Sequence, residues 1–167
     1  MIDFERVRKY LNKNETVFEK VINDNGTMIQ SVIAIEEIAE LQSAFMEFIS
    51  NPNKGIHCKE NLSEEIADVL ICIKQLQLMY GLPDDIYVIT RDYSLVRVSH
   101  ATIVLAELQK SISKTVRCKN TDLQESIAEA IQVVNYYSFA TKPEKLEEWL
   151  DKKVERLKNM HMGEGKS

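Results

Sequence analysis

Five glycines and three prolines are all that 167 residues contain, and this scarcity constrains the fold more than any other feature. A many-stranded sheet needs turn residues about every 8–12 positions. This chain cannot punctuate itself that often, so the expectation is an all-α helical bundle with long helices and short connections. The apolar spacing agrees. Phe4, Val7, Leu11, Val17, Phe18, Val21 and Ile22 recur at mostly helical intervals, with Asn14 dividing the segment in two. Asn23-Asp24-Asn25-Gly26 stops it, and Thr27 is expected to cap a second helix reaching Phe48 or Ile49. After Asn51-Pro52-Asn53-Lys54-Gly55, a polar stretch through Asn61 reads as loop. Ser63 then caps a third helix, which ends at Tyr80 before Gly81-Leu82-Pro83-Asp84. Between Asp84 and His100, Ile86-Tyr87-Val88-Ile89-Thr90 has strand-like composition among helix formers and is assigned to helix. Further helices are predicted over Thr102–Val116, Asp122–Phe139 and, from the first-turn residue Pro143, to Met160.

The length suits one domain able to bury a real core. No apolar run reaches membrane-spanning length and the N-terminus lacks a secretory segment, so no membrane partner is expected. Cys58, Cys72 and Cys118 are an odd number without CxxC spacing, which reads as reduced thiols in the cytoplasm. A net charge of -5 argues against nucleic acid, whose phosphates need a basic face. A small polyphosphate is still compatible with an acidic protein if metal ions lie between the two.

The chain also echoes itself. Ala39-Glu40-Leu41-Gln42 returns as Ala106-Glu107-Leu108-Gln109, and Glu64-Glu65-Ile66-Ala67-Asp68 as Glu125-Ser126-Ile127-Ala128-Glu129. Two matches in the same order point to two related halves in tandem, residues 1–83 and 84–162, followed by a flexible tail at 163–167.

The acids carry the chemistry. Glu36, Glu37, Glu40 and Glu47 share an arc of about 100° on the second helix. No basic residue occurs between Thr27 and Asn53, so this stripe lacks local counter-charge. On the third helix, Glu64 and Glu65 are explained by the helix dipole, but Asp68 lies a turn further in among Ile66, Val69, Leu70 and Ile71. A carboxylate there costs several kcal/mol unless a cation or hydrogen bonds compensate it. Glu37 with Glu40, and Glu65 with Asp68, are i, i+3 pairs that two antiparallel helices can aim into one pocket. Four carboxylates without His or Cys form a hard-oxygen site suited to magnesium, with manganese as a substitute. A di-iron site wants Glu-x-x-His, and none of His57, His100 and His161 has that spacing.

The strings Ile35-Glu36-Glu37-Ile38-Ala39-Glu40-Leu41 and Glu64-Glu65-Ile66-Ala67-Asp68-Val69-Leu70-Ile71 resemble the two signature helices of the MazG-like all-α nucleotide pyrophosphohydrolases. The resemblance spans about residues 18–80. It implies that Glu37, Glu40, Glu65 and Asp68 bind magnesium, and that water cleaves a nucleoside triphosphate to monophosphate and pyrophosphate. Dimeric dUTPases, dCTPases and phosphoribosyl-ATP pyrophosphatases belong to the same clan. The family's closing helix with Lys, Asn and Arg has a counterpart only near the end, as Lys152-Lys153-Val154-Glu155-Arg156, so Lys153 and Arg156 become candidate phosphate contacts. In the second half Glu107, Glu125 and Glu129 remain, but Ile103 and Val104 replace Glu36 and Glu37, which reads as a degenerate copy.

Lys54, Lys59 and His57, in the expected loop between the signature helices, are further phosphate candidates. Glu36 and Glu64 are candidates to orient the attacking water; each is alternatively a second-metal ligand or simply solvated. Trp149 and Cys72 read as core, and His100 as a packing or surface residue. Related halves are expected to complete the core within one chain, with a homodimer still open. The competing reading is a non-catalytic helical module whose acidic face binds an ion or a partner.

Overall fold

Seven helices account for nearly all of the computed structural model, which describes residues 3–50, 55–84, 98–119, 122–137 and 143–163. They are α1 (Phe4–Lys13), α2 (Glu15–Asn25), α3 (Thr27–Ser50), α4 (Gly55–Tyr80), α5 (Val98–Val116), α6 (Leu123–Tyr137) and α7 (Pro143–His161). The described residues contain no strand, and no helix among them is long and apolar enough to cross a membrane. Most of the segment assigned to helix between Asp84 and His100 lies outside the described residues; Val98 to His100 open α5. The tail from 164 and Lys54 also lie outside them.

Local chemistry explains the breaks. The Asp3 carboxylate caps α1 by accepting from the Arg6 amide, and Asn14 separates α1 from α2 while its side-chain amide donates to the Tyr10 carbonyl. Gly26 has φ +81°, a conformation that strains any L side chain, and its carbonyl accepts the first bond of α3 from Gln30. The cap position is therefore Gly26, and Thr27 is the first helical residue. Gly81, at φ +62°, ends α4, with the Leu82 amide bonded back to the Gln77 carbonyl.

One boundary differs by eight residues. The helix expected to start at Ser63 starts at Gly55, so His57 and Lys59 are exposed helical residues and not loop residues. Ser63 does not cap; its hydroxyl donates to the Lys59 carbonyl one turn back, which lets serine sit inside a helix. Burial of Cys58 and Leu62 holds the added turns against the core despite their polar neighbours.

α3 and α4 form the central pair. Gln30 meets Gln75 at one end and Glu37 meets Asp68 two turns away, so the helices are antiparallel. α5 packs on α3, α6 on α5, and α7 on α4 and α2. Within α4, Leu62, Ile66, Ala67, Val69, Leu70, Ile71, Cys72, Ile73 and Leu76 are all buried, as expected of a helix apolar on nearly every side. One connected apolar cluster takes residues from all seven helices. The Phe45 and Tyr137 rings, with centroids 4.5 Å apart, join α3 to α6 inside it. Lys74 is the one buried ammonium among the described residues. Glu15 at 2.8 Å and Asp84 at 3.4 Å compensate it, and they tie the end of α4 to α2.

The α3–α5 contact has a reciprocal feature. Gln42 Nε2 donates to the Thr102 carbonyl at 3.0 Å, and Gln109 Nε2 donates to the Ile35 carbonyl at 2.9 Å. In the register of the sequence echo, Gln42 stands with Gln109 and Ile35 with Thr102, so each bond is the other's image. The two bonds are thus reciprocal between α3 and α5. Gln42→Ala and Gln109→Ala are each expected to lower unfolding free energy by about 1 kcal/mol, and by similar amounts, in urea denaturation. A cost confined to one of them would show that the two contacts are not equivalent.

Candidate metal centre

The antiparallel α3–α4 pair brings one carboxylate of α3 against two of α4. Oxygens of Glu37, Glu65 and Asp68 all lie within 4.8 Å of one another. The i, i+3 spacing puts Glu65 and Asp68 on one side of α4, and the helix register puts Glu37 opposite. Glu65 Oε2 is shielded from solvent and has no hydrogen-bond partner. Glu40 is exposed one turn further along α3 and its oxygens fall outside the triad. Its charge still reaches the cluster, since it helps raise all three carboxyl groups.

Electrostatics at the triad are those of crowded acids. Burial pushes the Glu37 carboxyl up to about 7, reinforced by Asp68, Glu40 and Glu65. Burial likewise pushes Glu65 up to about 7, with Asp68 and Glu40 adding to it. Burial raises Asp68 too, in spite of the Lys153 ammonium 2.5 Å away. Lys153 also pairs with Glu64 at 3.0 Å. Burial pulls Lys153 down, but its hydrogen bonds to Asp68 and Glu64 win, so it is held above the ordinary lysine value and stays charged. Among the described residues Lys153 is thus the cation paired with this group of acids, and the triad remains under-compensated.

Beside the triad lies a cavity of about 190 Å³ between α3, α4 and α7. Glu37, Asp68, Lys153 and Arg156 line it, together with Gln30, Gln75 and apolar side chains. Of the phosphate candidates, Lys153 and Arg156 face this space, whereas Lys59 is exposed near the start of α4. Of the two water-orienting candidates, Glu64 shares Lys153 with Asp68. Glu36 is exposed, and no hydrogen bond or ion pair among the described residues ties it to the cluster. Trp149 is partly buried against the core with the Lys152 ammonium 4.4 Å from its ring centre, and Cys72 is buried on the cavity wall. His100 is exposed.

Sequence reasoning passed over Gln30 and Gln75, both buried and both on the cavity wall. A signal was available: Gln30 lies seven residues before Glu37 and Gln75 seven after Asp68, so each shares its helix face with a triad acid.

An oxygen-only donor set with an unpartnered buried carboxylate oxygen and mutual repulsion fits a hard divalent cation of the magnesium or manganese type. Comparison of the chain with protein-family models, with curated proteins and with solved structures found no match.

Proposed function

We propose that this chain is a magnesium-dependent pyrophosphohydrolase that cleaves a nucleoside triphosphate to the monophosphate and pyrophosphate. The observation that carries the reading is the convergence of Glu37, Glu65 and Asp68 beside a cavity walled by Lys153 and Arg156. Acids and bases side by side are what a polyphosphate held through a divalent cation requires. The sequence resemblance to MazG-like enzymes points the same way.

Glu37, Glu65 and Asp68 hold the cation in this reading, with Glu40 supplying charge from the rim. Magnesium held there would supply charge neutralisation at the phosphate oxygens and Lewis-acid polarisation of the reacting centre. Arg156 and Lys153 orient the phosphate chain and balance charge that develops on the leaving pyrophosphate. Glu64 accepts a proton from water as its oxygen bonds to the α-phosphorus, while the bond from that phosphorus to the bridging oxygen breaks. Its shared contact with Lys153 places it at the acid group, where Glu36 is not.

The tandem reading is supported by the reciprocal Gln42 and Gln109 bonds. The second half keeps the scaffold without the chemistry. Val104 is buried at the position of Glu37, Ser126 stands for Glu65, and Glu107, the counterpart of Glu40, pairs with Lys110 at 2.9 Å. A MazG-like bundle with one working and one degenerate half accounts for these features.

A pyrophosphate-release screen across common and damaged nucleoside triphosphates tests the activity. At least one substrate is expected to react with magnesium or manganese and none with the metal chelated. Silence across the whole panel would defeat the proposal. Lys153 already neutralises part of the acid group, which favours a second reading as a non-catalytic module. That module would gain no stability from nucleotide, with or without magnesium.

A further inference from the structure

The cavity runs two helical turns beyond the acids, and its lining changes along the way. From the triad end, α3 contributes Glu37, Ile33 and Gln30. α4 contributes Asp68, then Ile71 and Cys72, then Gln75. α7 contributes Lys153, then Arg156 and Leu157, then Met160. All three series advance by three or four residues and then reach seven, so a charged end, a mostly aliphatic middle with Arg156 on its α7 side and an amide end succeed one another over about 10 Å. That is the order of groups along a nucleotide, from phosphate across the sugar to the edge of the base. Ile33, Ile71 and Leu157 make the middle zone mostly aliphatic, which suits a heterocycle closed off at its far end by a polar group.

The far group is specific in its polarity. Gln75 and Gln30 are 2% and 3% exposed. Asn25 Nδ2 donates to Gln30 Oε1 at 3.1 Å, and Gln30 Nε2 donates to Gln75 Oε1 at 2.7 Å. The chain of amides therefore turns the oxygen of Gln75 towards Gln30 and leaves its NH₂ group. No hydrogen bond among the described residues engages that group, although the side chain is almost wholly buried and lines the cavity. Open to the cavity, that donor is matched by an acceptor on whatever fills the space.

We propose that this end of the cavity is a nucleobase pocket in which the Gln75 amide donates to a carbonyl on the base edge remote from the sugar. Such a pocket takes keto bases (uracil, thymine, guanine or hypoxanthine) over cytosine and adenine, which present an amine at the same edge. Against those bases the Gln75 NH₂ faces another donor. This specificity rests on the reading of the triad as the phosphate end, and it adds to that reading the class of base.

Binding and turnover separate the two claims. Calorimetry with magnesium present compares UMP with CMP and IMP with AMP, and pyrophosphate release compares the corresponding triphosphates. The keto member of each pair is expected to bind about ten- to a hundred-fold more tightly, the cost of one unmatched buried hydrogen bond. Gln75→Met removes the donor at similar volume and is expected to erase the preference. Gln75→Glu offers acceptors and is expected to shift it towards CMP and AMP. Equal binding within both pairs, a wild-type preference retained by Gln75→Met, or no binding of any monophosphate overturns the pocket. Keto-selective binding with no pyrophosphate release defeats the hydrolase reading alone, and hydrolysis indifferent to the base defeats the pocket alone.

Discussion

Glu37→Gln, Glu65→Gln and Asp68→Asn are each expected to reduce pyrophosphate release by at least the ~10–100-fold that loss of residues merely orienting metal ligands costs. The amides keep the shape of the acids and remove a ligand charge. Stability is expected to move differently at the three positions. Glu37 and Glu65 are raised to about 7 by burial and by neighbouring acids, so neutralising either relieves repulsion and raises the melting temperature of the metal-free protein above neutral pH. Asp68 is the partner of Lys153, and its amide loses that ion pair along with the repulsion, so little net gain is expected. Glu107→Gln, Glu125→Gln and Glu129→Gln are the internal control. They occupy the echoed sequence positions, with Val104 and Ser126 where the first motifs have acids, and they are expected to leave activity nearly intact. Steady-state rates and thermal melts on all six variants decide the matter. Full activity in the first three would remove the triad from the mechanism, and equal losses in both sets would mean that the acids serve folding or that both halves work.

The metal-free protein is expected to lose stability as pH rises from about 5 to about 8, and magnesium is expected to abolish that loss. The sign follows from linkage. Glu37 and Glu65 titrate near 7 in the folded chain against an ordinary value of 4.5. A group raised in this way favours the folded state fully below its unfolded value, and that contribution disappears as pH climbs through the folded one. Both carboxyls are partly exposed, so solvent screening reduces each contribution to roughly 1 kcal/mol. Together they correspond to a melting temperature lower by about 5 °C at pH 8 than at pH 5. Magnesium binds the ionised acids, so its stabilising effect is expected to grow with pH over the same window. Melting curves at the two pH values, with magnesium and with a chelator, measure both effects. A metal-free protein as stable at pH 8 as at pH 5 would mean that the triad is already compensated from within.

Much of the bundle was legible in the chain itself because helical order is written locally. The breaks at Asn14, at Asn23 to Gly26 and at Gly81 lie where short-range chemistry demands them, and the all-α class follows from the shortage of turn residues. Even the i, i+3 pairing of Glu65 with Asp68 is a local fact. The start of α4 was not legible, since Ser63 offers the same signal for a cap as for a bond back to the Lys59 carbonyl. Burial of Cys58 and Leu62 against other helices settled that choice.

The candidate site divides along the same line. The sequence by itself determined that uncompensated acids fall on the faces of two neighbouring helices, because charge and periodicity are properties of single segments. Only the tertiary structure decided that Glu37 joins Glu65 and Asp68 while Glu40 stays on the rim, that Lys153 reaches Glu64 and Asp68 from α7, and that Gln30 and Gln75 meet two turns away. Each of these depends on the register between helices far apart in the chain. That register is set by how the buried faces of α3, α4 and α7 interlock, and no single helix carries it.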